Sequence, residues 1–181
     1  MLSSLSVGLV STLAIATPAA PTPSSVPSIS PAHHLLLSAP DRRVRVTNAR
    51  LHSLMVEGMS RSPTFASLVT ALNRTDVIVY IESMMVLPKG TLGRLSMMPL
   101  KGDFRYLRIQ IRAELSRREA IALIGHELRH AMEIAAETEV RDSSSLIRLY
   151  ERIGHASSGE HAYDTEAAQD TGRIVRRELA G

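Results

Sequence analysis

Gly125-His126-Glu127-Leu128-Arg129-His130 is the stretch around which the rest of the chain is read. It lies within residues 116–137, the most helix-like segment of the sequence. Ser116 with Glu119 three positions later is a capping-box signature. Ile121, Leu123, Ile124, Leu128, Met132 and Ile134 then supply apolar surface at helical spacing. On a helix, His126 and His130 project the same way, one almost above the other. Two imidazoles so placed can grip one Zn²⁺, and a carboxylate directly after the first can act as base on a water at that ion. The pattern implies a zinc-dependent hydrolase, most simply a small peptidase, with His126 and His130 as ligands and Glu127 as general base. The bland alternative is an amphipathic helix that carries these residues on its wet face. Gly125 counts against it, because glycine costs about 1 kcal/mol inside a helix and calls for a reason such as close approach of another backbone.

The bulk composition narrows the chemistry. The chain has 181 residues, 44% hydrophobic and 22% charged, which describes one ordinary globular domain. Its net charge is +3, its pI is about 9.7, and Lys89 and Lys101 are the only lysines. The arginines are scattered, and no basic run alternates with aromatics, so a nucleic-acid partner is not expected. There are no cysteines. Any zinc must therefore use histidine and carboxylate ligands, the donors of catalytic rather than structural sites.

A third ligand has to come from elsewhere in the chain. Glu133 and Glu137 share the helix, and their angles make a convergent site difficult. His155 and His161 fall in a polar loop. Glu166 opens a last helix, in Thr165-Glu166-Ala167-Ala168-Gln169-Asp170, and is the preferred third ligand. Asp170 stands one turn further on and is placed to accept a ring N–H from a zinc-bound histidine. The competing reading of Glu166 is a first-turn glutamate that favours the helix dipole.

His-Glu-Leu-Arg-His followed by Glu166-x-x-x-Asp170 resembles the gluzincin branch of the zincin metallopeptidases, the thermolysin-like arrangement. The resemblance implies Glu127 as base, His126, His130 and Glu166 as zinc ligands, and Asp170 as a supporting carboxylate. It also implies that the strand before the active-site helix binds a peptide or protein substrate antiparallel to itself. The layout covers residues 76–179, but the motif is only a handful of residues. The resemblance does not extend to the additional C-terminal helical domain of larger members, so a minimal version with an exposed cleft is expected. Their second oxyanion donor, a Tyr or His, has three candidates here: Tyr163, His161 and His155. The elongated metzincin pattern is absent, since position 133 is Glu and position 136 is Ala.

The remaining segments are organised around this helix. Residues 1–20 carry an apolar run at 5–16 and a small-residue Ala14-Ile15-Ala16 site, which read as a signal peptide or N-terminal anchor. No Lys or Arg precedes the run. Export to the periplasm or exterior, or membrane association through this segment, is the expectation. A cytosolic protein with a disordered tail is the alternative. Residues 21–40 are a Pro/Ser/Ala-rich linker, and His33-His34 within it is incidental. The folded domain then spans 41–181. Thr47 or Asn48 caps a first helix, and Ser62-Pro63 opens a second. Residues 76–82 form a doubly buried strand, 94–98 a weaker strand, and 104–112 an amphipathic strand suited to a one-sided or outer position. Two further helices follow, at 144–153 and from about 164. The expected fold is α+β and zincin-like, with a small, mostly antiparallel sheet packed on the active-site helix. A catalytically silent zinc-binding interaction protein of the same shape is the competing functional expectation.

Overall fold

The computed structural model describes residues 42–99, 102–156 and 163–181. The expected signal or anchor, the linker and His161 lie outside the described residues. Among the described residues, no helix is long and apolar enough to cross a membrane.

The fold is α+β, with five helices and a small mixed sheet of four strands. In chain order the elements are β1 (Val44–Val46), α1 (Ala49–Arg61), α2 (Pro63–Leu72), β2 (Val77–Met84), β3 (Gly93–Met97), β4 (Arg105–Arg112), α3 (Arg117–Ala136), α4 (Ser143–Ile153), a two-residue hairpin β5 (His155–Ala156) with β6 (Tyr163–Asp164), and α5 (Glu166–Glu178). Local sequence explains the helix starts. The side chains of Asn48, Ser62 and Thr165 accept from the backbone N–H of Leu51, Phe65 and Ala168. Ser116 and Glu119 form the expected capping box at α3.

The sheet order is β1-β2-β4-β3, with β1 and β4 parallel to β2 and only β3 antiparallel. This corrects the expectation of a mostly antiparallel sheet. The helical crossover through α1 and α2 returns the chain to lay β2 parallel beside β1. The chain from β2 then runs through β3 before β4, and β4 inserts between the two. β4 is therefore an interior strand, which removes the outer alternative and leaves the one-sided one. Its alternation is genuine: Leu107, Ile109 and Ile111 are buried, while Tyr106, Arg108 and Arg112 are half-buried. Alternation of this kind reports that one sheet face is covered by helices; it says nothing about position within the sheet.

The covered face forms the core. Val77, Val79 and Ile81 of β2 and Leu107, Ile109 and Ile111 of β4 meet Leu51 and Met55 of α1, Phe65 of α2, and Ile121, Ile124 and Leu128 of α3. Each fully buried side chain of this size contributes about 1.5–3 kcal/mol. The other face is a polar ladder. Arg94 Nε donates to Gln110 Oε1 at 2.8 Å, and Gln110 Nε2 donates to Glu82 Oε2 at 3.2 Å.

Close packing fixes α5 against α3, and hydrogen bonds fix its far end against α1 and α2. A Cβ on Gly125 would come within 3.0 Å of Val175 Cγ2 and 3.5 Å of Phe65 Cδ2. The glycine flagged in the sequence is thus explained by helix packing, although the close neighbours are side chains rather than backbone. At the far end of α5, Glu178 accepts hydrogen bonds from Ser62 and Thr64, and Arg61 Nη2 donates to the Leu179 carbonyl at 2.7 Å. The start of α5 is thereby held beside His126.

Candidate metal centre

His126, Glu127 and His130 lie in the middle of α3, which keeps the two histidines in one column. Their rings stand 4.9 Å apart, nearly perpendicular. The third group that meets them is Asp164, from β6. Asp164 Oδ1 lies 3.4 Å from His126 Nε2 and 3.4 Å from His130 Nε2. One ligand atom from each of the three lies within 4.8 Å of the others. For nitrogen and carboxylate ligands about 2.0–2.1 Å from a tetrahedral Zn²⁺, the edges of the tetrahedron measure about 3.3–3.4 Å. Both measured nitrogen–oxygen edges match. Two imidazoles and a carboxylate are also a donor set that zinc accepts, so the residues fit the ion.

Glu166 is not part of this cluster. The buried face of α5 carries Ala168, Thr171 and Val175. Glu166 stands two positions before Ala168, about 200° around the helix, and is exposed. Asp170 is also exposed and forms an ion pair with Arg173. The last strand residue before the helix, rather than the first helical turn, faces the histidines. The β5–β6 pairing of His155 with Asp164 keeps the chain extended at that point.

Supporting groups surround the ligands. His130 Nδ1 is 2.9 Å from Glu133 Oε2, and Thr165 Oγ1 donates to Glu133 Oε1 at 2.7 Å. The angle that keeps Glu133 from being a third ligand places it behind His130. The His126 ring hydrogen-bonds the Ala168 backbone. Gln169 Nε2 donates to Asp164 Oδ2 at 3.0 Å. Each proposed ligand thus has a partner that fixes its orientation. Tyr150 lies edge-on to His130, with ring centroids 5.3 Å apart. Replacing Glu133 by alanine should lower zinc affinity about 10–100-fold, as measured by competition with a chromophoric chelator. An unchanged affinity would remove Glu133 from that role.

The electrostatics follow from burial and these contacts. Glu127 is 4% exposed, and burial pushes its carboxyl up to about 7, against the opposing charge of His130. Burial alone would lower His130, but its hydrogen bonds to Asp164 and Glu133 outweigh that and push it up to about 9. Burial would raise Asp164, yet the hydrogen bonds from His130 and Gln169 hold it well below the usual carboxylate range. Burial lowers His126, and the neighbouring His130 charge adds to the effect.

A sign follows for metal binding. Without metal, His130 carries a proton below about pH 9, and a zinc ligand must be neutral imidazole. Binding near pH 7 should therefore release about one proton from His130. Apparent affinity should then rise about tenfold per pH unit up to about pH 9, when measured by calorimetry in buffers of different ionisation enthalpy. Binding without proton release would contradict this ligand assignment.

Sequence reasoning missed Asp164, Glu133 and Gln169 as parts of this cluster. The available signal was Asp164-Thr165, an acid immediately before a helix-capping residue, and it was read only as a helix start. Tyr163, one of the proposed oxyanion donors, packs against the hydrophobic core. His155 stands at the rim, its Nε2 3.3 Å from Gln169 Nε2.

Comparison with models of known protein families, with curated proteins and with solved structures found no match to this chain. The functional reading rests on the site itself.

Proposed function

We propose that the protein is a zinc-dependent metallopeptidase of zincin-like fold. His126, His130 and Asp164 would hold the ion, and Glu127 would serve as general base. The observation that carries this reading is the matched pair of 3.4 Å edges from Asp164 Oδ1 to the two histidine Nε2 atoms, with the Glu127 carboxylate buried beside them. When bound, zinc would lower the pKa of a water and polarise a substrate carbonyl. Glu127 would take the proton from the attacking water and pass it to the leaving amine. Without metal, burial raises the Glu127 carboxyl to about 7, and a dication beside it would favour the charged carboxylate that a base requires.

The position of β3 supports a peptide substrate. β4 has a neighbour on each side, so it offers no edge. β3 lies at the end of the sheet, and no strand pairs with its other side among the described residues. Arg112 N donates to the Leu92 carbonyl and Met98 N to the Tyr106 carbonyl. By alternation, the N–H and C=O groups of Gly93, Leu95 and Met97 face outward, where an extended peptide can add as a further strand. The base is beside this edge: a Cβ on Gly93 would come within 3.0 Å of Glu127 Oε1. The strand proposed to bind substrate is thus the one two elements before α3, not the one directly before it.

A second reading, a zinc-binding protein without turnover, has one observation in its favour. Tyr163 is packed on the core, which leaves His155 as the described candidate for oxyanion stabilisation. One experiment separates the two readings. Glu127→Gln should retain zinc and lose about 10²–10⁴-fold in hydrolysis of a peptide library. Equal hydrolysis by the variant, or none by the zinc-loaded parent, would overturn the peptidase reading.

A further inference from the structure

A groove of about 360 Å³ opens beside His126 and runs between α5 and the N-terminal half of α3. Its floor is aliphatic, from Leu92, Leu115 and Leu123. Leu92 is 52% exposed, so this apolar surface faces solvent. The charged groups on its walls are Glu119, Arg173 and Arg176. Two of these charges are already engaged. Glu119 Oε2 accepts from both the N–H and the hydroxyl of Ser116, and Arg173 is ion-paired with Asp170.

Arg176 is different. Among the described residues, no hydrogen bond or salt bridge holds its guanidinium, and Glu119 on the facing wall is the carboxylate that feels its charge. A second cation stands alongside, because Arg118 Nε donates to the Arg176 carbonyl at 3.1 Å. Gln169, Arg173 and Arg176 mark successive turns of α5 leading away from the ligand end. Arg176 therefore lies about two turns, on the order of 10 Å, along the groove. An apolar stretch that begins at His126 and ends at a guanidinium whose N–H donors are open is complementary to an aliphatic stem that ends in an anion. The planar guanidinium can take a carboxylate through two parallel hydrogen bonds.

We propose that this groove is a specificity subsite, that it takes a substrate glutamate within two residues of the bond cleaved, and that Arg176 is the residue that recognises it. The inference rests on the peptidase reading for the word substrate, but the recognition itself is a property of the groove. A lysine in the same place would meet Arg176 as a like charge, and a leucine would fill the floor but leave its N–H donors without an acceptor.

Binding and turnover are measured separately. Full-length Glu127→Gln protein is titrated into fluorescein-labelled peptides Ala-Ala-Ala-X-Ala-Ala-Ala with X as Glu, Gln, Leu or Lys, and anisotropy is read. The Glu peptide should bind at least about fivefold tighter than the Gln and Leu peptides, with the Lys peptide weakest. Adding Arg176→Ala should bring Glu and Gln within about twofold of each other, while Arg176→Lys should keep part of the difference. Raising the salt concentration should narrow the preference in the parent. Equal binding of Glu and Gln peptides, a preference that survives Arg176→Ala, or no peptide binding at all would overturn the proposal. The same peptides offered to the zinc-loaded wild-type protein test the other reading. Selective binding of Glu without cleavage would refute the peptidase and leave the groove's specificity intact; cleavage without preference would do the reverse.

Discussion

Asp164→Ala should weaken zinc binding by more than about 100-fold, a larger loss than removal of a supporting carboxylate produces. Glu166→Ala should leave it within about twofold. The contrast follows from placement. Asp164 Oδ1 is equidistant from both histidine Nε2 atoms, whereas Glu166 is exposed on a helix whose buried face lies on the other side. Loss of Asp164 also leaves His130 with Glu133 as its remaining carboxylate partner, so the charge that balances two imidazoles and a dication is cut. Asp164→Asn is a sharper probe, since it keeps the shape and removes the charge. Zinc retention after dialysis against a weak chelator, read by elemental analysis, gives the ranking. Retention in Asp164→Ala with loss in Glu166→Ala would restore the first-turn glutamate as ligand.

The second large effect concerns stability. Arg105 is fully buried at the start of β4. Its Nε and Nη2 donate to the two carboxylate oxygens of Asp76 at 2.8 and 2.6 Å. Its Nη1 donates to the carbonyls of Ile134 and Glu137 at 2.7 Å each. Those carbonyls sit at the end of α3, where each accepts one backbone N–H, Ile134 from Glu137 and Glu137 from Val140, and Arg105 supplies a second donor. One guanidinium thus closes the C-terminal end of the helix that carries His126, Glu127 and His130. Arg105→Leu should cost about 3–5 kcal/mol, because it removes the partner of the Asp76 carboxylate and the second donor to several carbonyls at the end of α3. Asp76→Asn should cost less, since the Asp76 side chain is 38% exposed and water can replace much of the lost pairing. Urea denaturation of both variants tests the order. A loss below about 1 kcal/mol for Arg105→Leu would contradict the role assigned to it.

The sequence was most legible where one local rule decided the outcome. Asn48, Ser62-Pro63 and Ser116-x-x-Glu119 each mark a helix start because capping involves only near neighbours along the chain. The histidine column of α3 was legible for the same reason. Sheet order was not, because period-two alternation identifies a face and carries no information about neighbouring strands. The pattern of β4 accordingly fits a one-sided interior strand as well as an outer one, and it lies inside. β1 was missed altogether: three residues, Val44–Val46, are too short for a periodic signal and gain their conformation from pairing with β2. The third member of the histidine cluster was hidden for a related reason. Glu166 follows from its spacing to Asp170 and from the resemblance to gluzincins, whereas the carboxylate that meets the two histidines is Asp164, presented by the β5–β6 hairpin. That is a tertiary contact between residues far apart in sequence. Glu133 shows the opposite case. Its position three residues after His130 was visible, and the same geometry that excludes it as a ligand brings its carboxylate to the His130 Nδ1.

The most direct test is the zinc K-edge X-ray absorption spectrum of protein loaded with one equivalent of zinc, recorded for the wild type and for Asp164→Ala. A shell of two imidazole nitrogens and low-atomic-number oxygens at about 2.0–2.1 Å is expected in the wild type, with both imidazole scattering and stoichiometric zinc lost or much reduced in the variant. Failure of the wild type to hold zinc, or a spectrum unchanged by removal of Asp164, would contradict the centre formed by His126, His130 and Asp164.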